Sequence, residues 1–133
     1  MNKDNINISK IETYLNSILD NTVSENTYFG YKPDEAIIKS STWQDMCIVD
    51  IPNGVHDYDA YGKGTVLVWL YAKPLDSGRK NVARMSQLET RLNAAIKNAD
   101  DSIYHINRRL TYTTYDTAIN WHCNVVELTI KVF

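Results

Sequence analysis

The stretch Thr65-Val-Leu-Val-Trp-Leu-Tyr-Ala72 decides the fold, because it places apolar side chains on both sides of the strand that it predicts. A strand of this kind is stable in the middle of a sheet, where both of its faces are covered. The short break 73–78 follows it, and an amphipathic helix is predicted next, at about 80–98. A central strand whose following helix folds back over the sheet predicts a compact α+β domain.

Length and charge limit the possible functions. The chain has 133 residues, which predicts a single domain, 1–133. Fourteen basic and sixteen acidic residues give a formal net charge of −2, so sequence-specific nucleic-acid binding is not expected. The longest apolar run, 66–72, is much shorter than the roughly 20 residues that span a bilayer, so no membrane partner is expected.

The N-terminus and the cysteines indicate the compartment. Residues 1–7 are polar, lack the apolar segment of a signal peptide and are predicted to be flexible. Cys47 and Cys123 lie far apart on apolar strand patterns. This favours reduced thiols in a cytoplasm, although a single disulfide stays open as an alternative.

The first half of the chain predicts one helix and two strands. Apolar residues at helical spacing predict a helix at about 9–21, with Ser9 and Glu12 forming a capping box. Residues 36–39 are expected to form a short strand, and alternation over 44–51 predicts another. Residues 52–64 are polar and spaced with glycine, which predicts a long hairpin loop leading into the central strand.

The second half predicts a helix followed by strands. The apolar face of the helix at 80–98 consists of Val82, Met85, Leu88, Leu92, Ala95, Ile96 and Ala99. Strands are expected at 103–110, continuing or turning at 111–115, and at 118–133, where a change of apolar phase predicts a β-bulge near residues 125–126. The predicted fold is therefore α+β, a mixed or antiparallel sheet packed against two α-helices in the order α-β-β-β-α-β-β.

No complete catalytic or cofactor-binding motif is present, so we expect no catalytic residue, no metal ligand and no cofactor. Tyrosines surround the polar side chains of the 52–64 loop, and such loops make good interface anchors. Arg79, which precedes the second helix, and Arg108, which follows it, are further candidates for contact across a subunit boundary. The expected contact residues are His56, Asp57, Tyr58, Asp59, Tyr61, Lys63, Arg79 and Arg108. A metal-dependent enzyme that uses residues 56–59 stays open as an alternative.

The central strand and its helix also resemble a known family. The stretch Gly64-Thr-Val-Leu-Val-Trp-Leu-Tyr-Ala-Lys-Pro74, and the helix at 81–96 with Met85-Ser-Gln-Leu-Glu-Thr-Arg-Leu at its centre, are similar in style to one unit of that family. Together with the order of elements, they resemble the tail-terminator (tail-completion) proteins of long-tailed bacteriophages. Neck proteins that join head to tail have a similar size and fold, so the choice between the two stays open.

The resemblance implies a non-enzymatic structural protein of the virion, assembled in the cytoplasm of the bacterial host. It implies a homo-hexameric ring that caps the tail tube and contacts the tail tube protein and a neck or head-completion protein. The 52–64 loop is then expected at a subunit boundary. Since no motif of this chain defines a functional residue of the family, none is transferred. A small cytosolic protein-interaction module is the alternative.

Overall fold

The computed structural model describes all 133 residues. A 3-10 turn, Lys3–Ile6, precedes three α-helices and six strands. The helices are α1 (Ile8–Leu19), α2 (Glu35–Ser40) and α3 (Val82–Lys97). The strands are β1 (Thr27–Phe29), β2 (Asp45–Asp50), β3 (Val55–Asp57), β4 (Gly62–Ala72), β5 (Tyr104–Asp116) and β6 (Trp121–Val132). The α+β fold class is confirmed, and α2 is an addition to the two predicted helices.

The sheet has the strand order β1-β2-β4-β6-β5, with β3 paired to the start of β4. Only β1 and β2 run parallel, and all other pairs are antiparallel. Strand β4 therefore lies in the middle, as its apolar sequence predicts. The two outer strands are very unequal, because β1 has three residues and β5 has thirteen.

The two faces of the sheet are covered differently. One face packs against α1 and α3 and contains the larger core cluster, which includes Leu15, Leu70, Leu88 and Leu128. On the other face, a smaller cluster beneath α2 covers only part of the sheet. The rest of that second face, which we call the open face, has no helix over it. None of the helices combines the length and the apolarity that crossing a membrane requires.

The predicted β-bulge at residues 125–126 is wrong, and the apolar phase change has another cause. The pairing of β6 with β4 runs without a shift through Val125 and Val126. Trp121 and Val125 belong to the smaller cluster, whereas Val126 and Val132 belong to the larger one. Strand β6 therefore buries one face in its first half and the opposite face in its second half. The register shift lies instead in β5, between Arg108 and Leu110.

Residues 36–39 lie in helix α2, so the predicted short strand is also wrong. Asp34 caps the helix, because its side chain accepts a hydrogen bond from the Ala36 amide at 2.9 Å. Only Ile38 is buried, while Ile37 stays 55% exposed. A helix this short, with one buried residue, shows no helical periodicity in the sequence. The apolar pair Ile37-Ile38 therefore favoured the prediction of a strand.

The N-terminal predictions need two corrections. Asn7, not Ser9, caps α1, since its side chain accepts the Ser9 amide and the helix already begins at Ile8. Within residues 1–7, expected to be flexible, the 3-10 turn is attached to the end of the chain through a hydrogen bond from Asn5 to the Phe133 carbonyl at 3.3 Å. The helix face at 80–98 is confirmed at Met85, Leu88 and Leu92, but its first member, Val82, is 66% exposed.

The 52–64 segment is more ordered than a long loop. Strand β3 pairs with Gly62–Gly64, so only residues 58–61 connect the two strands. A Cβ at Gly64 would lie 2.7 Å from the Gly54 carbonyl oxygen, and one at Gly62 would lie 2.6 Å from the Ile6 side chain. The glycines that suggested a flexible loop are instead needed for close packing of the hairpin.

Candidate contact surface

Six of the eight expected contact residues lie on the β3–β4 hairpin. Tyr58 and Tyr61 stack with ring centroids 5.1 Å apart at the hairpin tip, residues 58–61. Asp59 adopts a positive φ of 66° there. Tyr58 is 52% exposed, so the tip presents an aromatic surface to solvent.

The hairpin carboxylates are bound to the N-terminal turn. Lys3 Nζ lies 2.7 Å from Asp57 Oδ1 and 2.9 Å from Asp59 Oδ1. The hydrogen bond from Lys3 lowers the pKa of Asp57, and the same bond raises the pKa of Lys3. Asp57 also accepts the Asp59 amide at 2.8 Å, which holds the tip in its turn.

These contacts bear on the alternative of a metal-dependent enzyme. The two carboxylates of this segment, Asp57 and Asp59, already share the ammonium group of Lys3. No group of three His, Cys, Asp or Glu side chains comes together anywhere in the chain in a way that could hold a metal ion. The 56–59 segment therefore gives that alternative no geometric support.

Arg79 and Arg108 do not lie with the hairpin. Arg79 is exposed in the turn after the far end of β4. Arg108 points to the helical face, where its guanidinium donates to Asn93 Oδ1 at 2.7 Å and to Glu89 Oε1 at 3.2 Å. Arg108 thus links β5 to α3 within one chain.

The neighbouring Arg109 takes the opposite direction, as successive residues of a strand do, and it is the extra residue at the register shift of β5. An extra residue in one strand locally changes which face the following side chains occupy. Arg109 lines a shallow depression of the open face together with Lys63, Thr65, Thr129 and His56. Sequence analysis selected Arg108 as the contact residue, whereas the structure places Arg109 beside the hairpin.

The strand register aligns a row of basic side chains across the open face. Lys63 pairs with His56 of β3 on one side and with Lys131 of β6 on the other. Lys131 in turn pairs with His105 of β5. We call these four residues the basic row. At about 4.8 Å between strands, the row extends about 15 Å across the sheet.

Apolar side chains occupy the next part of the open face. Leu67 and Leu110 both pair with Glu127, and Trp69 and Tyr112 both pair with Val125. Leu110 and Tyr112 are 49% and 45% exposed. An exposed apolar band beside a basic row has the composition of a protein contact surface.

The outer edge of β5 is partly blocked and partly free. The backbone groups of Tyr104 and Ile106 point away from the sheet, and Asp101 and Asp100 accept their amides at 2.7 Å and 2.9 Å. Beyond the register shift, alternation directs the backbone groups of Thr111, Thr113 and Tyr115 outward, and the chain offers them no partner. A free edge of this length is a template for pairing with another chain unless something covers it.

Two polar networks away from the β3–β4 hairpin, one on each face of the sheet, hold the fold together. Asp45 is buried and accepts hydrogen bonds from Ser24 and, at 3.3 Å, from Arg84. Asp116 binds Lys32 at 2.7 Å and the Tyr71 hydroxyl at 3.2 Å, which links the end of β5 to the loop after β1. Burial acts to raise the pKa of Asp116, but the hydrogen bond from Lys32 and its charge outweigh burial and lower it.

Sequence reasoning missed Lys131, His105 and Arg109 as partners of the hairpin. Lys131 and His105 come from strands far along the chain, and they meet Lys63 only through the register of three antiparallel pairs. The alternation of β6 already places Lys131 on the side opposite the buried Ile130 and Val132, which was the one available signal.

No protein-family model matches the chain, and no curated protein matches it significantly.

Proposed function

We propose that this chain is a structural protein of a bacteriophage virion that assembles into a homo-oligomeric ring. In this proposal it is a tail terminator that caps the tail tube and joins it to the neck, without catalysis. The resemblance in the order of elements supports the family. The strongest structural support is that the two edges of the sheet are unlike.

The edges matter because a ring is built from heterologous contacts. Each subunit in a ring uses one surface to bind a different surface of the next subunit. The β5 edge is long, with free backbone groups beyond the register shift, and the open face beside it bears unpaired lysines and exposed apolar side chains. The β1 edge is short and half-buried, and the elements beside it carry Glu12, Glu25 and Glu35 together with the exposed Lys10 and Lys39. A chain with two such different ends suits head-to-tail assembly better than a two-fold dimer.

The β5 edge and the open face also suit the alternative of a protein-interaction module. Strand addition at a free edge and docking on an open sheet face are both common ways to bind another protein. The module predicts a monomer that binds an unrelated protein, whereas the ring predicts that the chain binds itself.

Two measurements test the proposal: the mass of the protein in solution, and its binding to the ends of tail tubes. Light scattering over a concentration series is expected to show a discrete species of about six 15.3 kDa subunits, and negative-stain images a ring with a central hole. The same protein is then added to assembled tail tubes of the phage that encodes it. It is expected to bind at the end of the tube and to stop the addition of further tube subunits. A protein that stays monomeric alone and also fails to bind tube ends would refute the proposal.

A further inference from the structure

The two lysines of the basic row repel each other. Lys63 and Lys131 lie directly opposite each other on neighbouring strands, and like charges in that position destabilise a sheet. Neither lysine forms an ion pair within the chain. Glu127 is on the same face, but it is four residues from Lys131 along β6, about 13 Å at the usual rise. A negatively charged partner would remove this repulsion.

The side chains around the basic row suit a protein partner. Arg109 adds a third cation without a carboxylate partner, and Thr65 and Thr129 add hydroxyl groups. The apolar band of Leu110 and Tyr112 continues from them along the same face. A partner that covers both parts would bury apolar area in the centre and ion pairs at the rim, which is the usual composition of an interface.

The opposite end of the same chain supplies the complementary charge. Three exposed glutamates lie on elements that adjoin β1: Glu12 on α1, Glu25 just before β1, and Glu35 at the start of α2. None of them forms an ion pair within the chain, although Glu25 lines a depression together with Arg84 and Arg91, and Lys39 lies one helical turn from Glu35. Glu12 also borders an apolar notch that contains Ile8 and Phe29. We call these three glutamates the acidic edge.

We propose that the basic row and the neighbouring apolar band bind the acidic edge of a second copy of this chain. This inference rests on the proposed function, since it names the two surfaces that meet between neighbouring subunits of the ring. The basic row runs from β3 and the central strand β4 to β5, whereas the three glutamates lie beside β1, and no ion pair joins the two sets within one chain. Each copy therefore leaves one basic row and one acidic edge for its neighbours.

A second copy fits these observations better than a nucleic acid. The chain as a whole is acidic, with a net charge of −2, so it lacks the long-range attraction that phosphate binding requires. Only three permanent cations are grouped on this face, and Glu127 lies among the apolar residues next to them. The three glutamates beside β1 are opposite in charge to these three cations.

Charge reversal at both surfaces tests the pairing. The row variant is Lys63→Glu/Lys131→Glu, and the edge variant is Glu12→Lys/Glu35→Lys. Each alone brings like charges together, and we expect it to raise the concentration for half-assembly by about a hundredfold or more. The variant with all four substitutions again brings unlike charges together and is expected to assemble within about tenfold of the original protein.

The control makes the same charge change elsewhere. Lys73→Glu/Lys97→Glu alters two exposed lysines without ion-pair partners, one after the far end of β4 and one at the end of α3. We expect it to assemble like the original protein. Circular dichroism verifies that every variant is folded, and assembly of the original protein is expected to weaken between 50 and 500 mM NaCl, where screening becomes strong.

The outcomes separate the two proposals. If the original protein forms a ring and the folded row variant forms it equally well, the pairing is refuted and the ring stands. A fourfold variant that is folded but not restored refutes the pairing too. If the row variant assembles normally but loses binding to a labelled single-stranded oligonucleotide, the basic row binds phosphates instead. An original protein that never assembles, alone or on tubes, refutes both proposals.

Discussion

The substitution Leu70→Ala tests whether β4 is the centre of the fold. Leu70 is fully buried, and it faces Cys47 of β2 on one side and Asn124 of β6 on the other. The change removes about three carbon units, each worth about 0.8 kcal/mol of transfer free energy, or about 2.4 kcal/mol in total. Because hydrogen-bonded strands on both sides prevent collapse, a cavity remains and adds to the loss. We therefore expect a decrease of about 3–4 kcal/mol in the free energy of unfolding, within the range of about 2–5 kcal/mol for such changes.

Urea unfolding followed by tryptophan fluorescence measures this change, with the m-value as a test for unaltered two-state behaviour. Measurements at two protein concentrations separate folding from assembly, because association stabilises the folded state by mass action. Leu110→Ala is the matched control: the same chemical change at a position that is 49% exposed on the open face is expected to cost less than about 1 kcal/mol. A loss below about 1 kcal/mol at Leu70, or equal losses at both leucines, would show that the burial of the two faces is misassigned.

Three further predictions follow from particular contacts. Arg108→Ala is expected to lower the free energy of unfolding by about 1–2 kcal/mol, because it removes the charged hydrogen bonds to α3. Arg109→Ala is expected to change that free energy by no more than about 0.5 kcal/mol. Equal effects of the two substitutions in urea unfolding would contradict the opposite directions of the two arginines. Gly64→Ala is expected to destabilise the β3–β4 hairpin, because the new Cβ would lie 2.7 Å from the backbone carbonyl oxygen of Gly54. Hydrogen exchange of the hairpin amides is then expected to become faster, and exchange as slow as in the original protein would refute the clash. Burial raises the pKa of Cys47 and of Cys123 to about 12. Both thiols are therefore expected to stay protonated and unreactive towards a disulfide reagent at pH 8 until urea unfolds the chain. Rapid labelling of the folded protein would contradict their burial.

The sequence by itself determined the parts of the fold that depend on local periodicity. Apolar side chains on both sides of residues 66–72 predict a strand in the middle of the sheet, and β4 lies there. Its side chains Val66, Val68 and Leu70 are fully buried under the helices, whereas Leu67 and Trp69 on the other face are half-buried. The helix at 80–98 and the helix at 9–21 each carry a long apolar stripe, so their existence and the α+β class could be predicted. Element ends were less certain, because the cap at Asn7 and the cap at Asn81 depend on backbone geometry.

Only the tertiary structure decided how distant segments share the two faces of the sheet. Strand β6 changes its buried face where α2 gives way to α1 and α3 as the covering elements, and a local pattern cannot distinguish this from a β-bulge. The basic row has the same origin: His56, Lys63, Lys131 and His105 are scattered along the chain and become neighbours through strand register. Periodicity fixes which side of its own strand a residue occupies, whereas pairing between strands fixes which residues lie beside it, and that pairing is set by packing of the whole domain.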